Sequence, residues 1–598
     1  MINIIPTPKF IEKADGSFDL ADVSVFVGDN ADRRVVAAAC RMAGEIKALT
    51  GKTVPVYSSS PCGRAITIDD GTVGEAYTLT VTPEGIAIAG GAAGAFYAIQ
   101  SLRQLIKLNG STIPCCRVED APEFAYRGFY HDVTRGRVNT LRRLKEIADT
   151  LAFYKINSLQ LYVEDAFTFR EFDGIVTADE ALTPEEIVEL DEYCRDRFID
   201  LIPSLSTFGH LFTLLQSDRY NYISELGEHE MTMNYWMEKQ WHHTVDVYHP
   251  DTIKVIGSMI EQYIPLFRSK YFNICCDETM DLCSGHNKGR DKGEAYFYHL
   301  DKLIELVKSH GKTVMMWGDE CMARPEMTKE RVPADTIMLN WCYRKEVNEW
   351  IPKFFCEQGL SQIVCPGTTS WENFIENVDI SVGNISSFAA HAKKYGALGI
   401  LNTNWGDFGH VCAWNCNLYG MLFGAQKSWN VGAATDETFE RTASRLLYGV
   451  DSFNMVETLR ALAKASDTCN WSRFVMWHSD NRLNHKNTVL AYGDELTAAD
   501  TIANIDVCKN EIERLRSLGK DGDHVIGDLI LAARALELMN RLVLCVNGVE
   551  GFTDKASLQN DFDEWLEEYR AAWLRDDKPS GLPRLAEFIK HITDVPEK

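Results

Sequence analysis

In the stretch YFNICCDETMDL, Tyr271 to Leu282, an apolar run ends on two adjacent carboxylates, Asp277 and Glu278. Neighbours on a strand point to opposite faces, so in mid-strand one of these charges would be forced into packed protein at a cost of several kcal/mol. The pair suits a buried strand only where the strand stops. At the C-terminal lip of a barrel strand, where the backbone turns into a loop, both side chains can reach one pocket, and that lip is where β/α barrels do chemistry. Two carboxylates in one pocket can divide the labour, one carrying a proton while the other stays ionised.

Other polar and aromatic residues recur at the ends of predicted strands. The pattern predicts strands over 125–133, 158–164, 200–206, 272–277, 313–318, 337–343, 362–367 and 399–405. The first carries Arg127, Asp132 and Arg135; the second ends on Glu164 and Asp165; the third leads to His210; the fourth gives Asp277 and Glu278. Trp317, Trp341 and Trp405 end the fifth, sixth and eighth, Asp407 follows Trp405, and Trp371 follows the seventh. Carboxylates inside a ring of tryptophans describe a sugar pocket, because the C–H faces of a sugar stack on aromatic rings while its hydroxyls bind Asp, Glu and Arg.

Eight strands is the number that closes a β/α barrel, and helical stretches separate them. The clearest is LTPEEIVELDEYCRDRF, with Thr183 as N-cap, Pro184 at the first helical position and Glu186 completing a capping box. The fold class is therefore α/β: residues 1–120 form a small α+β domain of short strands and two amphipathic helices, 121–430 a (β/α)8 barrel, and 431–598 a helical region. A formal charge of −25 argues against nucleic acid and anionic membrane surfaces as partners. The N-terminus lacks a secretory pattern, and no apolar run approaches the about 20 residues needed to cross a bilayer. The 17 cysteines lack framework spacing and read as reduced core thiols of a cytoplasmic protein. Cys275, Cys276, Cys283 and His286 do not form a zinc ligand pattern, since adjacent cysteines on a strand face opposite ways. No metal or cofactor is expected. A homodimer is compatible with the sequence.

YRGFYHDVTR, LAFYKINSLQLYVEDAF, LIPSLSTFGH, FNICCDET and NWGDFGH, in this order on successive strands, resemble the barrel motifs of glycoside hydrolase family 20, the β-N-acetylhexosaminidases. EAYTLTVTPEGIAIAGGAAGAFYAIQSLRQL resembles the α+β domain that precedes that barrel. The resemblance implies that Glu278 is the general acid/base and that Asp277 orients the substrate's own acetamido group. It implies that Arg127 grips sugar hydroxyls, that Trp317, Trp341 and Trp405 wall the pocket, that Asp165 and His210 form a support pair behind the acid, and that Asp407 binds outer hydroxyls. Two departures stand out: the family's H-x-x-D-D reads Tyr162 to Ala166, Y-V-E-D-A, and the tyrosine that holds the acetamido oxygen has no clear counterpart after the seventh strand, leaving Tyr343 or Trp371.

The activity so implied is exo-hydrolysis of terminal GlcNAc or GalNAc from glycans with retention, the 2-acetamido oxygen acting as nucleophile in place of a second carboxylate. An ionised Asp277 is expected to raise the pKa of Glu278 toward the range an acid needs at neutral pH. O-GlcNAcase-type hydrolases resemble the chain less, since they use paired aspartates. A metal-dependent barrel hydrolase would want a His-x-His on the first strand. A non-catalytic sugar-binding barrel would be expected to lose Glu278.

Overall fold

In a computed structural model, which describes residues 2–58, 63–231, 233–479, 497–520 and 522–594, eight parallel strands close into a barrel. They run Tyr126–Asp132, Ser158–Val163, Asp200–Leu205, Tyr271–Asn273, Thr313–Trp317, Ile337–Trp341, Ser361–Cys365 and Gly399–Asn404. The eighth pairs with the first, Gly399 opposite Tyr126. A Cβ at Gly399 would meet the Tyr126 carbonyl oxygen at 1.8 Å, so closure at this seam requires glycine. The barrel is packed rather than hollow: Tyr130, Tyr162, Ile202, Met315, Leu339, Ile363 and Leu401 fill it, with Trp317 and Trp405 stacked above them. Polar side chains inside it pair with each other, Asn273 donating to Gln160 (2.9 Å) and Asn340 to Gln362 (2.5 Å).

The helix Pro184–Arg195 begins as its sequence demands, with Thr183 and Glu186 forming both halves of a capping box. Before the barrel stands a seven-stranded mixed sheet, in spatial order Phe10–Asp19, Thr112–Asp120, Tyr77–Val81, Gly85–Gly91, Ala65–Thr72, Ser24–Val27 and Val56–Tyr57. Its two helices are Arg33–Thr50 and Ala92–Asn109. The eighth strand is followed by Leu418–Trp429, every residue of which is buried, and then by helices only, among the described residues. These last helices hold the loop after the first strand. Arg137 donates to Asp577 (2.5 Å) and to the Tyr569 hydroxyl (2.8 Å), and Asn139 donates to Asp577 (2.5 Å). No helix among the described residues is long and apolar enough to cross a membrane.

Arg127 is not at the pocket. It is the second residue of the first strand, five positions before Asp132, which places it about 16 Å from the catalytic lip at the usual strand rise. Its guanidinium is wholly buried, donating to Glu75 (2.8 and 2.9 Å), to the Tyr97 hydroxyl (3.0 Å) and to the Lys155 carbonyl (3.0 Å). The sugar-gripping role expected of it is therefore corrected: Arg127 pins the α+β domain to the bottom of the barrel. Removing one partner of a buried ion pair leaves the other uncompensated, so Arg127→Ala should cost about 3 kcal/mol or more of stability in denaturant titration. The fraction that folds should keep its KM for a glycoside; a raised KM at unchanged stability would put Arg127 back in the pocket.

Candidate active site

The fourth strand ends at Asn273, earlier than its apolar run suggests. Cys275, Cys276 and Glu278 all adopt left-handed backbone angles, with φ of 57°, 68° and 46°. Each such residue costs about 1–3 kcal/mol unless its surroundings fix it. Here they do: the Cys275 N–H donates to Asn273 Oδ1 (2.9 Å), the Tyr296 hydroxyl to the Cys276 carbonyl (3.0 Å) and the Glu278 N–H to Asp319 Oδ2 (3.0 Å). Thr279 donates through its N–H and hydroxyl to Glu320 (3.2 and 2.6 Å). The turn aims both acids into one cavity of about 320 Å³, lined also by Arg135, His210, Trp341, Tyr343, Trp371, Glu372, Trp405 and Asp407.

The floor and walls are aromatic. Trp405 donates its indole N–H to the Tyr343 hydroxyl (2.7 Å), Tyr343 stacks on Trp341 at 5.4 Å between ring centres, and Trp371 meets Tyr343 edge-on at 4.8 Å. Trp317 lies one layer deeper, fully buried against Trp405 and Tyr130. It supports the wall rather than forming it. Arg135 lies over the rings of Tyr162 and Trp405, with Nε 3.6 Å from both Glu164 and Asp407 and Nη1 3.4 Å from Asp132.

Asp277 is buried, and its Oδ1 has no hydrogen-bond partner among the described residues. His210 Nε2 lies 3.5 Å from both Asp277 and Glu278. Burial pushes the imidazole pKa down, but the Asp277 charge and the two carboxylates 3.5 Å from Nε2 raise it to about 10. Burial raises the Glu278 pKa, yet His210, 3.5 Å away, and the charge of Arg135 bring it below the ordinary value. The expected upward shift of Glu278 is thus reversed, because a cation neither acid's sequence position reveals sits between them. It is Asp319 that is pushed well up, by burial and by the Asp277 charge.

Residues 1–121 match glycosyl hydrolase family 20, domain 2, and residues 124–392 match the catalytic domain of the same family. The chain belongs to glycoside hydrolase family 20. The β-hexosaminidase of Porphyromonas gingivalis is 26% identical over 363 residues, covering 53% of this chain and 45% of that protein. The β-N-acetylhexosaminidase of Cellulomonas fimi is 35% identical over 174 residues, 27% of this chain and 35% of that one. The chain spans about half or less of the length of these curated relatives. The chitobiase structure of Flavobacterium johnsoniae superposes with a TM-score of 0.63 at 18% identity, over 94% of this chain and 96% of that one, a likeness of fold.

Within this family 20 barrel the structure brings together Asp277, Glu278, His210, Trp341, Trp371, Trp405 and Asp407. It does not pair Asp165 with His210. Asp165 faces a neighbouring cavity, accepting hydrogen bonds from Thr134 (2.7 Å), Thr213 and Lys239 (3.2 Å). Glu164 is the acid that reaches toward Arg135, held by the Tyr162 hydroxyl (2.8 Å) and Lys239 (3.0 Å). Glu372 went unread in the sequence. It lines the cavity, and burial followed by the Asp407 charge pushes its carboxyl to about 7. Its signal, an acid directly after Trp371, was available but lay beyond a strand end in a loop of unknown course.

The His210 cation supplies the next prediction. In His210→Gln the positive charge that lowers the Glu278 pKa is gone, so Glu278 keeps its proton to higher pH. The alkaline limb of the kcat/KM profile should move upward. An alkaline limb that stays in place or moves down would show that His210 does not set the proton affinity of Glu278.

Proposed function

We propose that the chain is an exo-acting, retaining β-N-acetylhexosaminidase that releases terminal GlcNAc or GalNAc by substrate-assisted catalysis. The observation that carries this reading is the Asp277–Glu278 pair set in one aromatic cavity, Asp277 largely buried and Glu278 a third exposed. A largely buried carboxylate at the wall of a cavity is stabilised when a ligand supplies a hydrogen-bond donor. An acetamido N–H is such a donor. The cavity, closed below by Trp405, suits the end of a glycan rather than its middle.

Asp277 accepts the acetamido N–H, while the Tyr343 hydroxyl, which accepts from Trp405, donates to the acetamido oxygen. This favours Tyr343 over Trp371 for that place. The acetamido oxygen attacks the anomeric carbon as the bond to the leaving oxygen breaks, and Glu278 passes its proton to that oxygen. The oxazolinium so formed carries a positive charge that Asp277 balances. Glu278 then takes a proton from water as the water attacks the anomeric carbon and the bond from that carbon to the acetamido oxygen breaks, restoring the acetamido group; the second inversion gives retention. Glu278 begins below the ordinary range. Sugar filling the cavity strips water from it, strengthening burial, the one influence that raises its pKa. Arg135, not Arg127, binds sugar hydroxyls together with Asp407, and Trp341, Trp371 and Trp405 stack on the ring.

An aryl N-acetyl-β-glucosaminide should be cleaved at least ~10³-fold faster in kcat/KM than the matching β-glucoside, which lacks the internal nucleophile. Glu278→Gln should lower kcat by about 10²- to 10⁴-fold for poor leaving groups and far less for activated aryl ones. Equal cleavage of the two glycosides would sink the substrate-assisted reading, and no cleavage of either by the folded protein would favour a sugar-binding barrel. Arg135→Ala should raise KM; an unchanged KM would mean that the sugar sits elsewhere.

A further inference from the structure

After the third strand the chain runs through a loop into the short helix Tyr235–Trp241, started by Asn234, whose side chain accepts from the Met237 N–H (3.1 Å). Residues four apart share a helix face, so Glu238 and His242, just past the helix end, project to one side. His229, from the loop before the helix, reaches the same place. Its Nε2 is 3.1 Å from Glu238 Oε2, His242 Nε2 is 3.9 Å from that same oxygen, and the imidazole centres are 4.5 Å apart. One ligand atom from each of the three residues lies within 4.8 Å of the others.

Two features set this cluster apart from an ordinary ion pair. A single carboxylate oxygen faces two imidazole nitrogens, one of them too distant for a hydrogen bond. The outer nitrogen of His242, Nδ1, is already engaged by Asp281 Oδ1 (3.1 Å), while Asp281 Oδ2 accepts from the His243 N–H (2.8 Å). A carboxylate on the far nitrogen fixes the tautomer that leaves Nε2 with a lone pair toward the cluster, as in carboxylate–histidine–metal arrangements. Glu238 is likewise oriented, its Oε1 accepting from the Met233 N–H (2.7 Å).

We propose that His229, Glu238 and His242 bind one zinc ion, with a water as fourth ligand. Tetrahedral zinc with nitrogen and oxygen ligands at about 2.0–2.2 Å separates neighbouring ligand atoms by about 3.3 Å; His229 and Glu238 already stand at 3.1 Å, and His242, at 3.9 Å, must move inward. Two imidazoles and one carboxylate oppose calcium and magnesium, which take oxygen ligands. The ion takes no part in bond breaking. Its work is to hold a wall: the rest of the helix carries Lys239 to Glu164 and Asp165, Gln240 to Asp407 (3.0 Å), and Trp241 to the cavity rim. Asp281 lies three residues after Glu278, so the ion ties this helix to the loop that bears both acids. No metal is expected from the sequence, where Cys275, Cys276, Cys283 and His286 do not form a zinc ligand pattern.

The test measures zinc by elemental analysis in the full chain, tag removed, after zinc loading and dialysis, beside His229→Ala and His242→Ala. The expected result is about one zinc per chain in the wild type, lost in both variants, with zinc raising the Tm of the metal-stripped wild type in a concentration-dependent way. Stripping should raise KM about severalfold while kcat changes by less than about twofold, since a pocket wall loosens but the acids stay. No retained zinc overturns the site. Zinc retained equally by the variants, for example on the exposed thiols Cys40 and Cys356, overturns it as well. A KM unmoved by stripping overturns the wall-holding role. Should a variant fail to fold, cobalt(II) loaded into the wild type decides: visible bands of a tetrahedral nitrogen and oxygen site support the proposal, and thiolate charge-transfer bands overturn it.

Discussion

Everything at the mouth of this barrel depends on one early stop. The fourth strand leaves the ladder at Asn273, and the next five residues turn through left-handed backbone at Cys275, Cys276 and Glu278. Without that turn Asp277 and Glu278 would face opposite sides of a sheet. With it they share a cavity. The strain is met by the neighbouring fifth strand, whose end supplies Asp319 to the Glu278 amide and Glu320 to Thr279, and whose Trp317 amide donates to the Cys275 carbonyl (3.0 Å). A catalytic geometry on the fourth strand is thus enforced from the fifth.

Crowded acids need cations, and the structure threads three among them. Arg135 stands between Asp132, Glu164 and Asp407; Lys239 between Glu164 and Asp165; His210 between Asp277 and Glu278. Arg135 comes from the connection after the first strand, and His210 and Lys239 from the one after the third, so the electrostatic balance of the pocket also fixes these two connections relative to one another. The loop of Arg135 is held in turn by the C-terminal helices through Arg137 and Asp577. The helical region, remote from any sugar, is therefore mechanically part of the pocket.

The eight strands were legible because each is an apolar run with a polar or aromatic end, and all eight fall within a few residues of their expected places. The Thr183 cap was legible for the same local reason. What failed was direction along a strand. Arg127 lies near the start of the first strand and Arg135 just past its end, and only the pairing with Glu75 of the preceding domain shows that Arg127 belongs to the opposite end. The proton affinity of Glu278 failed too, since it turns on His210, which lies 68 positions earlier in the chain. The cluster of His229, Glu238 and His242 has no spacing that stands out in sequence; it forms because a loop folds back on a helix face.

Whether the protein itself becomes glycosylated during turnover decides between an internal and a protein nucleophile. If the nucleophile is the substrate's own acetamido oxygen, Asp277 balances charge and never bonds to carbon. Incubation with a fluorinated glycoside that traps enzyme nucleophiles, followed by intact mass measurement, reads this directly. The expected spectrum is that of the unmodified chain. A mass increase of one sugar, mapped to an ester on Asp277 or Glu278, would contradict the account.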